Sequence, residues 1–188
     1  YRVNVRAVRP AKRRAAVRLA RRSVRKLARA TDMRFGYKGR TRAVPYRRSW
    51  GRLPAEIVIA YVRPGQVASA VPELRSALGL GGPAGIRWQN RQGRWRLAAL
   101  RGGVLINERM VRGWRFGFGR HTRGNVLLHE LAHVAGLNHV NDRRQLMYRN
   151  EVAARRDYAA GDRAGLRRLG RAAGCMRVPS DTPWPDRS

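Results

Sequence analysis

The chain has 188 residues and a mass of 21.3 kDa, enough for one globular domain with its own core and too little for two ordinary ones. Hydrophobic residues make up 43%, beside 20 Gly and 9 Pro, which excludes a collagen-like or an intrinsically disordered chain. Against 11 acidic residues stand 42 basic ones, a formal charge of +31 and a pI near 12.0, so an anionic counterpart is expected to neutralise the surface.

Residues 1–8 alternate apolar and polar positions around Val3 and Val5 and predict a strand that Pro10 closes. From Ala11 to Ala30, Val17, Ala20, Val24 and Leu27 recur at helical spacing with Arg and Lys between them. That pattern predicts a long amphipathic helix with a positive outer face. Met33–Tyr37 reads as a further strand, and Gly36–Pro54, rich in Gly and Arg, mostly as loop. The near-continuous apolar run AEIVIAYV, Ala55 to Val62, predicts a strand buried on both faces. Pro64–Gly85 reads as a connecting excursion with a short helix near Ala68–Leu78. Two Trp in alternating sequence around Gln92-Gly93 predict a hairpin over Gly85–Leu100, and GVLIN, Gly103 to Asn107, predicts one more strand. Arg120–Gly136 reads as a helix with Thr122 at its N-cap and Leu127, Leu128, Leu131, Val134 and Ala135 as its apolar positions. A last helix is expected around Asp162–Ala172, ahead of a Pro-bearing tail.

The sum is a single α+β domain over residues 1–177 with a twisted sheet of four to five strands, followed by a tail over residues 178–188. No apolar run approaches the roughly 18 to 20 residues a membrane span needs, and a soluble monomer is expected. The chain opens on Tyr1 inside a strand-like pattern, which suggests a trimmed amino end and leaves room for a removed export signal.

Residues 129–139 read HELAHVAGLNH. On a helix, positions i and i+4 share a face, so His129 and His133 can present ring nitrogens to one metal ion with Glu130 beside it. A hydrolytic zinc site needs a third protein ligand and one open position, and continuing the same helix would carry the chain away from the metal. Gly136 answers that need: a glycine there can turn left-handed, end the helix and bring His139 back to the ion. A buried His is usually an ordinary core residue. With this chain's own His, Glu and Gly frequencies, however, the five-residue pattern is expected by chance about five times in a million such chains. Three of the 4 His in the protein lie in it.

The pattern resembles the metzincin zinc peptidases, with Met147 where their Met-turn would lie as an apolar floor beneath the metal. The run HELAHVAGLNHVNDRRQLMY is most similar to the matrixin branch, through Asp142, Leu146, Met147 and Tyr148. AEIVIAYV and DRAGLRRLG resemble the matrixin third strand and final helix. The resemblance implies a metzincin-like catalytic domain with a long first helix, an active-site helix and a C-terminal helix, and a secreted zinc endopeptidase of minimal bacterial type. It implies one catalytic Zn2+ on His129, His133 and His139, with Glu130 as general base toward water and then as acid toward the departing amine. Protein or peptide substrates would lie extended along the sheet rim, against Gly85–Asn90. Arg149 stands where a Pro often follows Met-Tyr, no cluster of Asp and Gly indicates structural calcium, and His121 alone cannot make a second zinc site.

Of the 42 basic residues 39 are Arg. A GC-rich coding sequence explains Arg over Lys but not the excess of bases over acids. The charge therefore carries an alternative to the peptidase: a protein binding nucleic acid or an anionic envelope polymer on an inactive scaffold of the same kind. Cys175, the single cysteine, is either an isolated small buried residue or the partner of a cysteine upstream of Tyr1.

Overall fold

In the computed structural model, residues 1–67, 69–90, 92–150 and 155–174 are described; Cys175 and the tail over 178–188 lie outside them. The fold is α+β. Four strands, β1 (Arg2–Asn4), β2 (Ile57–Val62), β3 (Gly79–Gln89) and β4 (Trp95–Asn107), form one sheet in the order β1-β2-β4-β3. β1 and β4 both run parallel to β2, while β3 pairs antiparallel with β4 and forms an edge. Three helices accompany them: α1 (Arg13–Thr31), α2 (Arg123–Val134) and α3 (Ala160–Leu169).

Strand alternation sorts the core into two layers. Ile59, Tyr61, Val104 and Ile106 face the helices, where they join Leu19, Val24 and Leu27 of α1 and Leu127, Leu128 and Leu131 of α2. Ala60, Val62 and Leu105 point the other way, under a cover that includes Val67 and Leu74. The apolar run of β2 is thus buried from Val58 to Val62, as parallel pairing on both sides requires. Each fully buried Leu contributes roughly 1.5–3 kcal/mol.

α1 forms because Ala16, Leu19, Ala20, Ser23, Val24 and Leu27 repeat at helical spacing, and it ends where Asp32 turns left-handed at φ 56°. β1 is shorter than the alternation over residues 1–8 predicts. The side chain of Asn4 accepts the Arg6 amide at 3.0 Å, a local turn that competes with the ladder and closes the strand.

Met33–Tyr37 is not a strand. The chain just after it runs beside β1, with one isolated bridge from Val3 to Arg40 and the Thr41 amide donating to the Val3 carbonyl at 3.0 Å, and Gly39 at φ 90° interrupts it. The excursion predicted over Pro64–Gly85 is likewise corrected. Short 3-10 turns at Pro64–Gln66 and Pro72–Arg75 replace the expected helix (Ala68 itself lies outside the described residues), and β3 already begins at Gly79. GVLIN is the second half of β4 rather than a separate strand. Gly102 and Gly103 admit neighbours inside the strand: a Cβ on Gly102 would meet Val134 at 2.3 Å, and one on Gly103 would meet Pro45 at 2.5 Å.

Candidate metal centre

α2 positions the first two histidines of the cluster. Leu127, Leu128 and Leu131 bury its inner side, and Thr122 stands at the N-cap position, although its hydroxyl donates to the Gly119 carbonyl at 2.7 Å instead of capping the helix. The amino end is pinned by Arg123, which is buried. Its guanidinium forks onto the Glu108 carboxylate, at 3.0 Å for one arm, and also donates to the carbonyls of Trp114 and Arg112. His129 and His133 then project from one helix face.

The helix ends in the turn that Gly136 permits. At φ 100° its amide donates to the His133 carbonyl at 2.9 Å, and the Leu137 amide donates to the Ala132 carbonyl at 3.0 Å, the paired bonds of a Schellman turn. The chain reverses and returns His139 to the first two rings. The Nε2 atoms of the three histidines form a triangle with sides of 3.0, 3.2 and 3.2 Å. A triangle of that size is compatible with one ion bound by all three nitrogens at ordinary metal–nitrogen distances of about 2.1 Å.

Tautomers follow from the other ring nitrogens. Nδ1 of His129 lies 3.0 Å from the Leu146 carbonyl and Nδ1 of His133 lies 2.6 Å from that of Leu137, so each donates there and leaves a bare lone pair on Nε2. Burial holds the His129 ring down to about 4 and lowers His133 as well, which keeps both neutral. Neutral nitrogens aimed at one point repel unless a cation lies between them. The three histidines are therefore close enough to hold a metal ion.

Glu130 and the three histidines line one cleft of about 520 Å³, bordered by Gly79, Leu80 and Gly81 of β3 and by Arg149 and Asn150. Burial pushes the Glu130 carboxyl up to about 8, against a backbone hydrogen bond from Gly81 that lowers it. The rim beside the site is thus the start of β3, not Gly85–Asn90, which pair toward Trp95 and the hairpin tip. Glycine makes that approach feasible. A Cβ on Gly79 would meet the Glu130 side chain at 2.9 Å, and one on Gly81 would lie 2.2 Å from the Glu130 carbonyl oxygen.

Met147 is fully buried, and the Val140 amide donates to its carbonyl at 3.0 Å, closing the loop after His139. Asp162 of α3, also buried, holds this loop from below through the amides of Leu146 and Met147. Sequence reading missed Asp162, Arg123 and Glu108. An acidic residue in the first turn of the last helix was a local signal for the first of these; the partners of all three are remote in sequence. His121 stands apart, edge-on to Trp114 with ring centroids 5.5 Å apart, and among the described residues no second cluster of three such ligands occurs. No helix among the described residues is long and apolar enough to cross a membrane.

No family model matches the chain, and no curated protein matches it.

Proposed function

We propose that the chain is a zinc-dependent endopeptidase of the metzincin, matrixin-like kind. One observation carries the reading: three imidazoles converge through Nε2 at 3.0–3.2 Å, with a carboxyl group, Glu130, in the same cleft. His129, His133 and His139 would hold the ion. A zinc ion there supplies Lewis acidity toward the scissile carbonyl and lowers the pKa of the attacking water.

The protein's own groups do the rest. Glu130 takes the proton of the attacking water and passes it to the departing amine, work that needs a carboxylate that is not itself a ligand. Burial raises its carboxyl to about 8, and a positive charge nearby would lower it again and favour the ionised form that can accept a proton. β3, an edge strand with one side unpaired by the sheet, borders the cleft at Gly79–Gly81 and offers backbone groups to an extended peptide. Met147 lies buried below the loop that returns from His139, in keeping with an apolar floor. Export from the cell belongs to the same proposal.

The test is zinc content and cleavage measured together. Purified protein should carry about one zinc per chain and cut an unfolded protein, with activity removed by a chelator and restored by zinc. Glu130→Gln should keep the zinc and lose cleavage by about 10²–10⁴-fold. A zinc-loaded protein that cuts nothing in a broad peptide library, or a Glu130→Gln variant that cuts normally, overturns the reading.

A further inference from the structure

Helix α1 carries a feature with no part in the metal centre. Its buried residues, among them Ala16, Leu19, Ser23 and Leu27, occupy one side. At about 100° per residue, Arg14, Arg18, Arg21, Arg22, Arg25 and Arg29 fall within an arc of about 100° on the opposite side. All six are exposed. At about 1.5 Å rise per residue they form a straight ridge roughly 22 Å long.

Aromatic rings of the fold engage part of this ridge, Tyr37 under Arg21 and Phe118 under Arg22, each 5.2 Å from the guanidinium carbon. α1 contains no acidic residue. Among the described residues one carboxylate reaches the ridge, Asp157, at 3.6 Å from Arg29. Arg14/Arg18, Arg18/Arg22, Arg21/Arg25 and Arg25/Arg29 are like-charged neighbours four residues apart, an arrangement that weakens a helix. A coding bias explains Arg in place of Lys, but it does not explain the absence of Glu and Asp from every intervening position. The track also continues past the helix: Asp157, held by Lys26 and Arg29, lines a cleft of about 640 Å³ with Arg144, Arg155, Arg156 and Arg163.

The chemistry of the ridge selects a ligand. Guanidinium groups bind phosphate through planar, two-pronged hydrogen bonding. Duplex DNA carries one phosphate charge for about every 1.7 Å of axis, so a ridge of roughly 22 Å laid against it meets phosphates of the nearer backbone segments. An anionic membrane would need apolar side chains beside the cations, and the arc contains only arginine. The arc also lacks the Asn and Gln that read base edges. We propose that the α1 ridge binds the phosphate backbone of nucleic acid without reading its sequence.

Fluorescence anisotropy of the full chain with a labelled 20-base-pair duplex, titrated across salt, tests this. The triple variant Arg14→Glu, Arg18→Glu, Arg25→Glu should lose at least tenfold in affinity at about 100 mM salt, and its log K against log salt slope should shrink by about 2.7. A control triple, Arg52→Glu, Arg75→Glu, Arg94→Glu, has the same net charge, lies on the turns covering the far side of the sheet and at the hairpin tip, and should change affinity less than threefold. The Gln versions of the ridge triple, checked for folding by circular dichroism, separate charge removal from charge reversal and should also weaken binding. Equal losses in the ridge and control triples would assign binding to overall charge and overturn the proposal. Tighter binding of heparin or of phosphatidylserine vesicles than of the duplex, dependent on the same arginines, would overturn it too.

Discussion

Asp162 accepts the backbone amide of Leu146 at 2.8 Å, although 16 residues separate the two. The same carboxylate accepts the amides of Met147 at 3.2 Å and Ala159 at 2.8 Å, and the Leu146 carbonyl in turn receives Nδ1–H of His129. One buried side chain in α3 thus fixes the orientation of the His129 ring on α2. Asp162→Ala leaves three buried amides without their acceptor and should cost at least about 2 kcal/mol in denaturant unfolding. It should also lower metal affinity by about 10–100-fold in chelator competition, with Asp162→Asn, which keeps one acceptor oxygen, falling between.

Gly81 and the Glu130 carbonyl leave no room for a side chain between β3 and α2. Gly81→Ala should push the edge strand off the helix, because the obstacle is backbone and cannot rotate aside. A loss of about 1–3 kcal/mol in thermal or denaturant unfolding is expected. Gly82→Ala, one residue along and with nothing within 4 Å of the added carbon, is the matched control and should stay within about 0.5 kcal/mol.

The buried Arg123–Glu108 pair should show its value only when broken on one side. Arg123→Met strands an ionised carboxylate in the core and should cost about 3–5 kcal/mol, whereas the double change Arg123→Met, Glu108→Leu should recover much of that loss. A double-mutant cycle by urea denaturation measures the coupling, and simple additivity would sink this account.

A pH dependence is expected at Asp157, which joins the start of α3 to α1. Burial raises its carboxyl, but the 2.6 Å hydrogen bond from Lys26, the Tyr158 amide and the charges of Lys26 and Arg29 outweigh burial and hold it below its ordinary 3.8. A folded value below the unfolded one means stability that is present above about pH 3.8 and lost as pH falls through the folded value. Asp157→Asn should therefore be less stable than the parent at pH 7, by up to about 1 kcal/mol given the exposure of the pair, with the gap closing in acid.

The three-histidine cluster was legible in sequence because its geometry is local. His129 and His133 are one helical turn apart, and Gly136 supplies a turn whose requirement can be read from one residue type. β2 was equally plain, since an apolar run bounded by turn residues has few other uses. The edge strand was hidden for a physical reason: Gly79, Gly81 and Gly82 with Pro83 resemble a loop until one knows that α2 presses against two of those glycines. Asp162 and the Arg123–Glu108 pair act on partners that only the folded chain brings near, and no spacing rule announces them.

All three imidazoles fall between residues 129 and 139. An unfolded chain therefore keeps them on one short tether at high effective concentration, and it would retain affinity for a metal ion that a ligand set gathered from distant segments would lose. By mass action, excess metal should protect the native state by less than its native-state dissociation constant alone implies.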